Sequence, residues 1–142
     1  MSNFNVFDVA GSGMSAQQIR LNTTASNIAN ADSVSSSEGK TYRAREPVFA
    51  AMLTDSENEF SDPQAQLPGV SVLGIVERGT PLRAEYKPDH PQADKDGYIH
   101  LPNVNIMEEM ANMISASRSY QTNADVMNTA KTLMQKTMML GE

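Results

Sequence analysis

The sequence predicts a mainly α protein with a small β subdomain: long N- and C-terminal helices packed as an antiparallel α-helical coiled coil, with a β-rich segment between them. Three observations carry this reading. Residues spaced by seven are apolar near both ends, the pattern of a helix that keeps one stripe against a partner. The middle breaks into short β-branched and aromatic runs punctuated by Pro and Gly. Charge is concentrated there as well: residues 32–103 hold twelve acids and seven bases, whereas residues 1–31 hold only Asp8 and Arg20. Heptad segments at opposite ends of one chain pack antiparallel most simply, because the middle must return the chain to its starting point. Residues 1–31 and 104–142 are then one discontinuous helical core, and residues 32–103 a hinge loop plus a small β-rich outer domain.

The first helix is expected from Val6 to about Asn30, with Phe7, Met14, Leu21 and Ile28 at strict sevens. Gly11 and Gly13 lower its helix propensity by up to about 1 kcal/mol each, so its first turns depend on neighbours. Ala31 to Lys40, rich in Ser, reads as a hinge. Tyr42 to Leu53 is expected to be extended, since Glu46 precedes Pro47 and Val48 and Phe49 suit a strand. Asp55 to Asp62 is an acidic turn with no base, and with Pro63 and Pro68 it predicts a mobile loop. Val70, Val72, Ile75 and Val76 mark the best strand; Leu82–Tyr86 and Tyr98–Leu101 are two more, separated by Pro88, Pro91 and Gly97.

The last helix is expected from Asn105 to Leu140. Ile106, Met113, Tyr120, Met127 and Met134 recur at sevens, and Met110, Ser117, Ala124, Lys131 and Met138 lie four residues after each. Asn105 is the predicted N-cap, with Glu108 reaching back as the other half of a capping box and Gly141 as the stop. This helix is longer than the first by about ten residues, which leaves an apolar overhang for a neighbour.

Composition narrows the function. At 142 residues and 39% apolar there is room for one modest core. A formal charge of -6 with no basic stripe argues against nucleic acid. The chain has no cysteine, so no disulfide or thiolate metal site. No apolar run approaches the roughly 18 residues of a membrane span, and the N-terminus lacks the basic region of a cleaved secretory signal. The sparsely charged end helices present Asn, Gln, Ser and Thr, which meet another protein surface without the desolvation cost of ions.

Two clusters invite a chemical reading. Asp89, His90, Asp94, Asp96 and His100 surround a segment that imitates part of a calcium loop, and a soluble calcium-binding or adaptor module centred on residues 89–100 is the alternative function. The match fails at both ends, where Gln92 and Asn103 replace the required acids, so a surface turn with dispensable Asp94 and Asp96 side chains is expected instead. Seven methionines between residues 107 and 139 could suggest copper, but at heptad spacing they read as packing. No nucleophile elbow or phosphate loop is present, so no catalytic residue, cofactor or metal is expected.

Ser12-Gly13-Met14-Ser15-Ala16, Leu21 and Ala25-Ser26-Asn27-Ile28-Ala29-Asn30-Ala31, followed by Tyr42-Arg43, resemble the N-terminal signature of the bacterial flagellar basal-body rod proteins, a helix ending in an Asn-x-x-Asn pair. Arg118-Ser119-Tyr120-Gln121-Thr122-Asn123 and Thr137 to Gly141 resemble that family's C-terminal helix. Tyr86 to Asp94, Gly97-Tyr98-Ile99 and Leu101-Pro102-Asn103-Val104-Asn105 are similar to its proximal-rod members. The resemblance implies a non-enzymatic subunit that assembles helically into the drive shaft around the export channel and transmits torque. It implies contacts with copies of itself, neighbouring rod proteins and the membrane-ring and export-gate end of the basal body, without insertion into the membrane. It implies residence in the periplasmic rod after type III export without a cleaved signal. Phe7, Met14, Leu21, Asn27, Ile28, Asn30, Met110, Met113, Tyr120, Met127, Met134 and Met138 are the expected assembly and packing residues.

Overall fold

The computed structural model describes residues 4–52 and 68–140. In chain order it contains helix α1 (Phe4–Ala29), strands β1 (Arg45–Met52), β2 (Gly69–Glu77), β3 (Arg83–Tyr86) and β4 (Tyr98–Leu101), and helix α2 (Ile106–Met139), with one short 3-10 turn at Glu38–Lys40. The acidic turn from Asp55 to Asp62 and the stop at Gly141 lie outside the described residues. Helix α2 has 34 residues, about 51 Å at 1.5 Å per residue, against 26 in α1.

The two helices run antiparallel. Gly11 faces Met127, Gly13 faces Asn123, Arg20 Nη2 donates to Asn112 Oδ1 at 3.0 Å, and Asn27 Nδ2 donates to Glu109 Oε2 at 3.1 Å. Numbers rise along one helix as they fall along the other. Gly13, Arg20 and Asn27 are spaced by seven, one residue before the expected row of Met14, Leu21 and Ile28. In α2 the packed positions Glu109, Ala116, Asn123 and Ala130 are again one residue before Met110, Ser117, Ala124 and Lys131. The period is that of the sequence, and small and polar residues share these contacts with Met127 of the expected apolar row. A Cβ on Gly13 would come within 2.8 Å of Asn123 Nδ2, so glycine there permits the close approach.

The β-rich middle forms two separate antiparallel hairpins. β1 pairs with β2 from Arg45↔Glu77 to Met52↔Gly69, and Leu73 is the extra residue where the register shifts between Val48 and Phe49. β3 pairs with β4 from Arg83↔Leu101 to Tyr86↔Tyr98. The first hairpin lies along α1: Val70 N donates to Ser12 Oγ at 3.1 Å at one end, and Arg45 bonds Asn27 at the other. Fifteen helical residues at 1.5 Å and eight strand residues at about 3.3 Å span similar distances, so one flank of the helix fits one hairpin. Helix α1 is thereby held between hairpin and α2.

The buried apolar residues are small: Ala10, Ala16, Ala31, Ala44 and Ala116, with Ile99 and Val104. Ala31, Ala44 and Val104 cluster with Tyr42 packed against them. The expected hinge is tied down. Ser35 makes a two-way backbone bridge to His100, 3.0 Å in each direction, and Thr41 Oγ1 bonds Ser37 O at 2.9 Å. The serines that mark a loop by composition here supply the partners that order it.

Candidate functional site

Four elements converge on one polar junction. Asn27, near the end of α1, is 1% exposed. Its Nδ2 donates to Arg45 O at 2.9 Å and to Glu109 Oε2; its Oδ1 accepts from Arg45 N at 2.9 Å and from Tyr42 Oη at 2.8 Å. Both amide protons and both carbonyl lone pairs are used. Neither Asp, which lacks the donors, nor Gln, which is a methylene longer, can do this in the same space.

Glu109, 2% exposed in the first turn of α2, receives Asn27 on one oxygen and has Arg78 Nη2 3.9 Å from the other. The positive end of α2 favours its charge. Arg78, just after β2, also bonds Glu46 of β1 through Nε at 2.6 Å and Glu108 through both terminal nitrogens at 3.1 and 3.3 Å. These carboxylates, Glu46 foremost, raise the guanidinium pKa above its ordinary value against the opposing effect of burial. Asn105 caps α2 as expected, accepting from Met107 N and Glu108 N. Glu108 does not complete the capping box, because Arg78 offers it a bidentate, charge-assisted partner.

Asn103 closes the junction. Its Oδ1 accepts from Ala44 N at 2.8 Å, and its Nδ2 reaches Arg78 O, Thr80 O and Thr80 Oγ1 between 2.8 and 3.1 Å. The paired asparagines of the N-terminal signature have different tasks. Asn27 joins distant elements, whereas Asn30 Nδ2 bonds Ser26 O at 2.8 Å and only finishes its own helix. Arg78, Glu46, Glu109 and Asn103 were not among the site residues expected from sequence; Asn103 alone carried a signal, inside the Leu101–Asn105 motif.

The turn at residues 89–100 is closed by its own side chain. Asp94 Oδ1 accepts from Asp96 N at 2.9 Å and Tyr98 N at 2.8 Å, Asp94 N donates to Tyr98 O, and Gly97 adopts a φ of 82°. The hydrogen bond from Tyr98 N holds the Asp94 carboxyl below its usual range, with help from Asp96 N and His100. Asp94 thus orders the surface turn expected from the sequence. Among the described residues no cluster of three or more His, Cys, Asp or Glu could hold a metal ion.

The expected seam residues divide by exposure. Phe7, Met14, Leu21, Ile28, Met113, Met127 and Met134 are half-buried, while Met110, Tyr120 and Met138 are exposed. An open groove is lined by Val6, Val126, Ala130, Leu133 and Met134. Leu140, the last described residue after α2, is 88% exposed. No helix of the described residues is long and apolar enough to cross a membrane.

Comparison with known proteins bears on what this surface is for. Residues 7–35 match the family model of flagella basal body rod proteins, and residues 95–140 that of the flagellar basal body rod FlgEFG protein C-terminal region. The chain is 47% identical to the flagellar basal-body rod protein FlgC of Yersinia enterocolitica and 44% identical to that of Salmonella typhimurium, with all of each chain covered. It is 35% identical to that of Borreliella burgdorferi, with 97% of both covered.

Proposed function

This chain belongs to the flagellar basal-body rod protein family as a structural subunit and not an enzyme, and on that premise we propose that it builds the proximal rod by helical assembly around the export channel. In this reading residues 1–31 and 104–142 form the axial core, their helices winding as a coiled coil, and residues 32–103 form the outer domain. The partners are copies of the same chain, neighbouring rod proteins and the membrane-ring and export-gate end of the basal body. The subunit reaches the periplasmic space through the flagellar type III apparatus without a cleaved signal.

The observation that carries this reading is the apolar surface at the end of α2. Leu133, Met138, Met139 and Leu140 are exposed on its last turns. A helix end of this kind meets a surface elsewhere on a neighbour, and head-to-tail contacts whose rotation does not close a ring propagate as an open helix. Met110 and Tyr120, exposed along the same helix, then face lateral neighbours, while Phe7, Met14, Leu21, Ile28, Met113, Met127 and Met134 are shared between the helix pair and adjoining subunits. The Asn27–Glu109–Arg78 junction locks helices to the outer domain, so that torque twists the subunit as one body.

The test is the double variant Leu133→Asp, Leu140→Asp in cells lacking the native gene. Both positions are exposed, so circular dichroism of the free subunit is expected to be unchanged. Incorporation into isolated basal bodies and swimming are expected to be lost. Normal rods and normal swimming would overturn the reading.

A further inference from the structure

We infer that Met138 and Met139 are an oxidation-sensitive element of the free subunit, converted to sulfoxides by peroxides before assembly and thereby barred from docking; the docking half of this inference rests on the function proposed above. The chain has no cysteine, so its methionine thioethers are the sulfur atoms open to oxidation. Seven of the ten methionines stand in α2, and the helix grades their accessibility. Met139 is 79% and Met138 63% exposed, and Met107 at the other end is likewise open. Met113, Met127 and Met134 are half-buried, with Met127 Cε against Gly11 and Met134 in the groove beside Val6.

The chemistry needs only the oxidant. The sulfur lone pair forms an S–O bond as the peroxide O–O bond breaks. Sulfur loses two electrons, the peroxide gains them, and its second oxygen leaves as water. The product is a sulfoxide, a strong dipole on a side chain that was apolar. In the free subunit this costs nothing, because both side chains already face water. In a dry contact with a neighbour the S=O group is buried without a donor, a penalty that recurs in every copy. A subunit oxidised at these two positions is sorted out at docking, before it becomes part of a shaft.

The experiment treats the purified full chain with graded hydrogen peroxide and maps sulfoxide by peptide mass spectrometry. Met138, Met139 and Met107 are expected to oxidise several-fold faster than Met113, Met127 and Met134; equal rates, or faster oxidation of the half-buried set, would overturn the inference. In cells building new flagella under sublethal peroxide, wild-type rods are expected to lack sulfoxide at positions 138 and 139, while the unincorporated pool carries it. A Met138→Leu, Met139→Leu variant, close in volume and not oxidisable, is expected to keep assembling under the same dose. The Leu133→Asp, Leu140→Asp variant separates the two ideas. If it incorporates, the docking reading itself has failed. If it is excluded while oxidised wild-type subunits incorporate as readily as unoxidised ones, only the oxidation inference has failed.

Discussion

Replacing Asn27 with Ala should cost far more than any other conservative polar truncation in α1, and the structure supplies the magnitude. The substitution removes two donated and two accepted hydrogen bonds at a site that is 1% exposed. Tyr42 Oη keeps Ser26 Oγ at 3.2 Å and recovers part of its loss. Arg45 N–H and Arg45 O both lose Asn27, and Glu109 keeps only Arg78 at 3.9 Å. Three groups at about 1–3 kcal/mol each, two of them on exposed Arg45 and so toward the low end, give a loss of roughly 3–5 kcal/mol. That is a large share of the roughly 5–15 kcal/mol that stabilises an ordinary domain. Asn30→Ala is the internal control: it deletes one local bond to Ser26 O, and about 1 kcal/mol or less is expected. Urea unfolding followed by circular dichroism reads the difference, and amide exchange at Arg45 should accelerate in Asn27→Ala alone. Equal midpoints for the two variants would refute the assignment of Asn27 as the link between α1, β1 and α2.

Two further outcomes are expected. Because the folded state holds the Asp94 carboxyl below its usual range, this group stabilises the β3–β4 turn above the ordinary carboxylate pKa, and the contribution fades as pH falls through the lowered value; protection of Asp96 N and Tyr98 N relative to the intrinsic exchange rate should fall on acidification in the wild type, Asp94→Asn should keep the turn and flatten the pH dependence, and Asp94→Ala should open it at every pH. Met127→Asp places a carboxylate beside Gly11 in the helix pair, so it should lower stability by several kcal/mol and block rod incorporation, whereas Asp at exposed Lys131 should swim nearly normally; equal motility would show that residue 127 faces solvent.

The sequence by itself determined the helices to within a few residues, the cap at Asn105, and the strands around Val48, Val72, Ala84 and Ile99, because each follows from local rules: the seven-residue period, a capping side chain, Pro and Gly between β-branched runs. Asn27 and Asn30 stand out in it through the resemblance to rod proteins, though not from each other. Tertiary structure decided the rest. Small and polar residues share the seam with the apolar rows, since Gly13, Ala116 and Asn123 allow an approach that larger side chains would prevent, and periodicity weighted by hydrophobicity does not single them out. Glu108 bonds Arg78, thirty residues upstream, and not its own helix start, and the serine-rich loop is held by a bridge from Ser35 to distant His100 as well as by its own local bonds. Asn27 and Glu109 lie 82 positions apart. A polar side chain reads as surface in a sequence, and it belongs inside only when folding brings partners for every one of its hydrogen-bonding atoms to the same place.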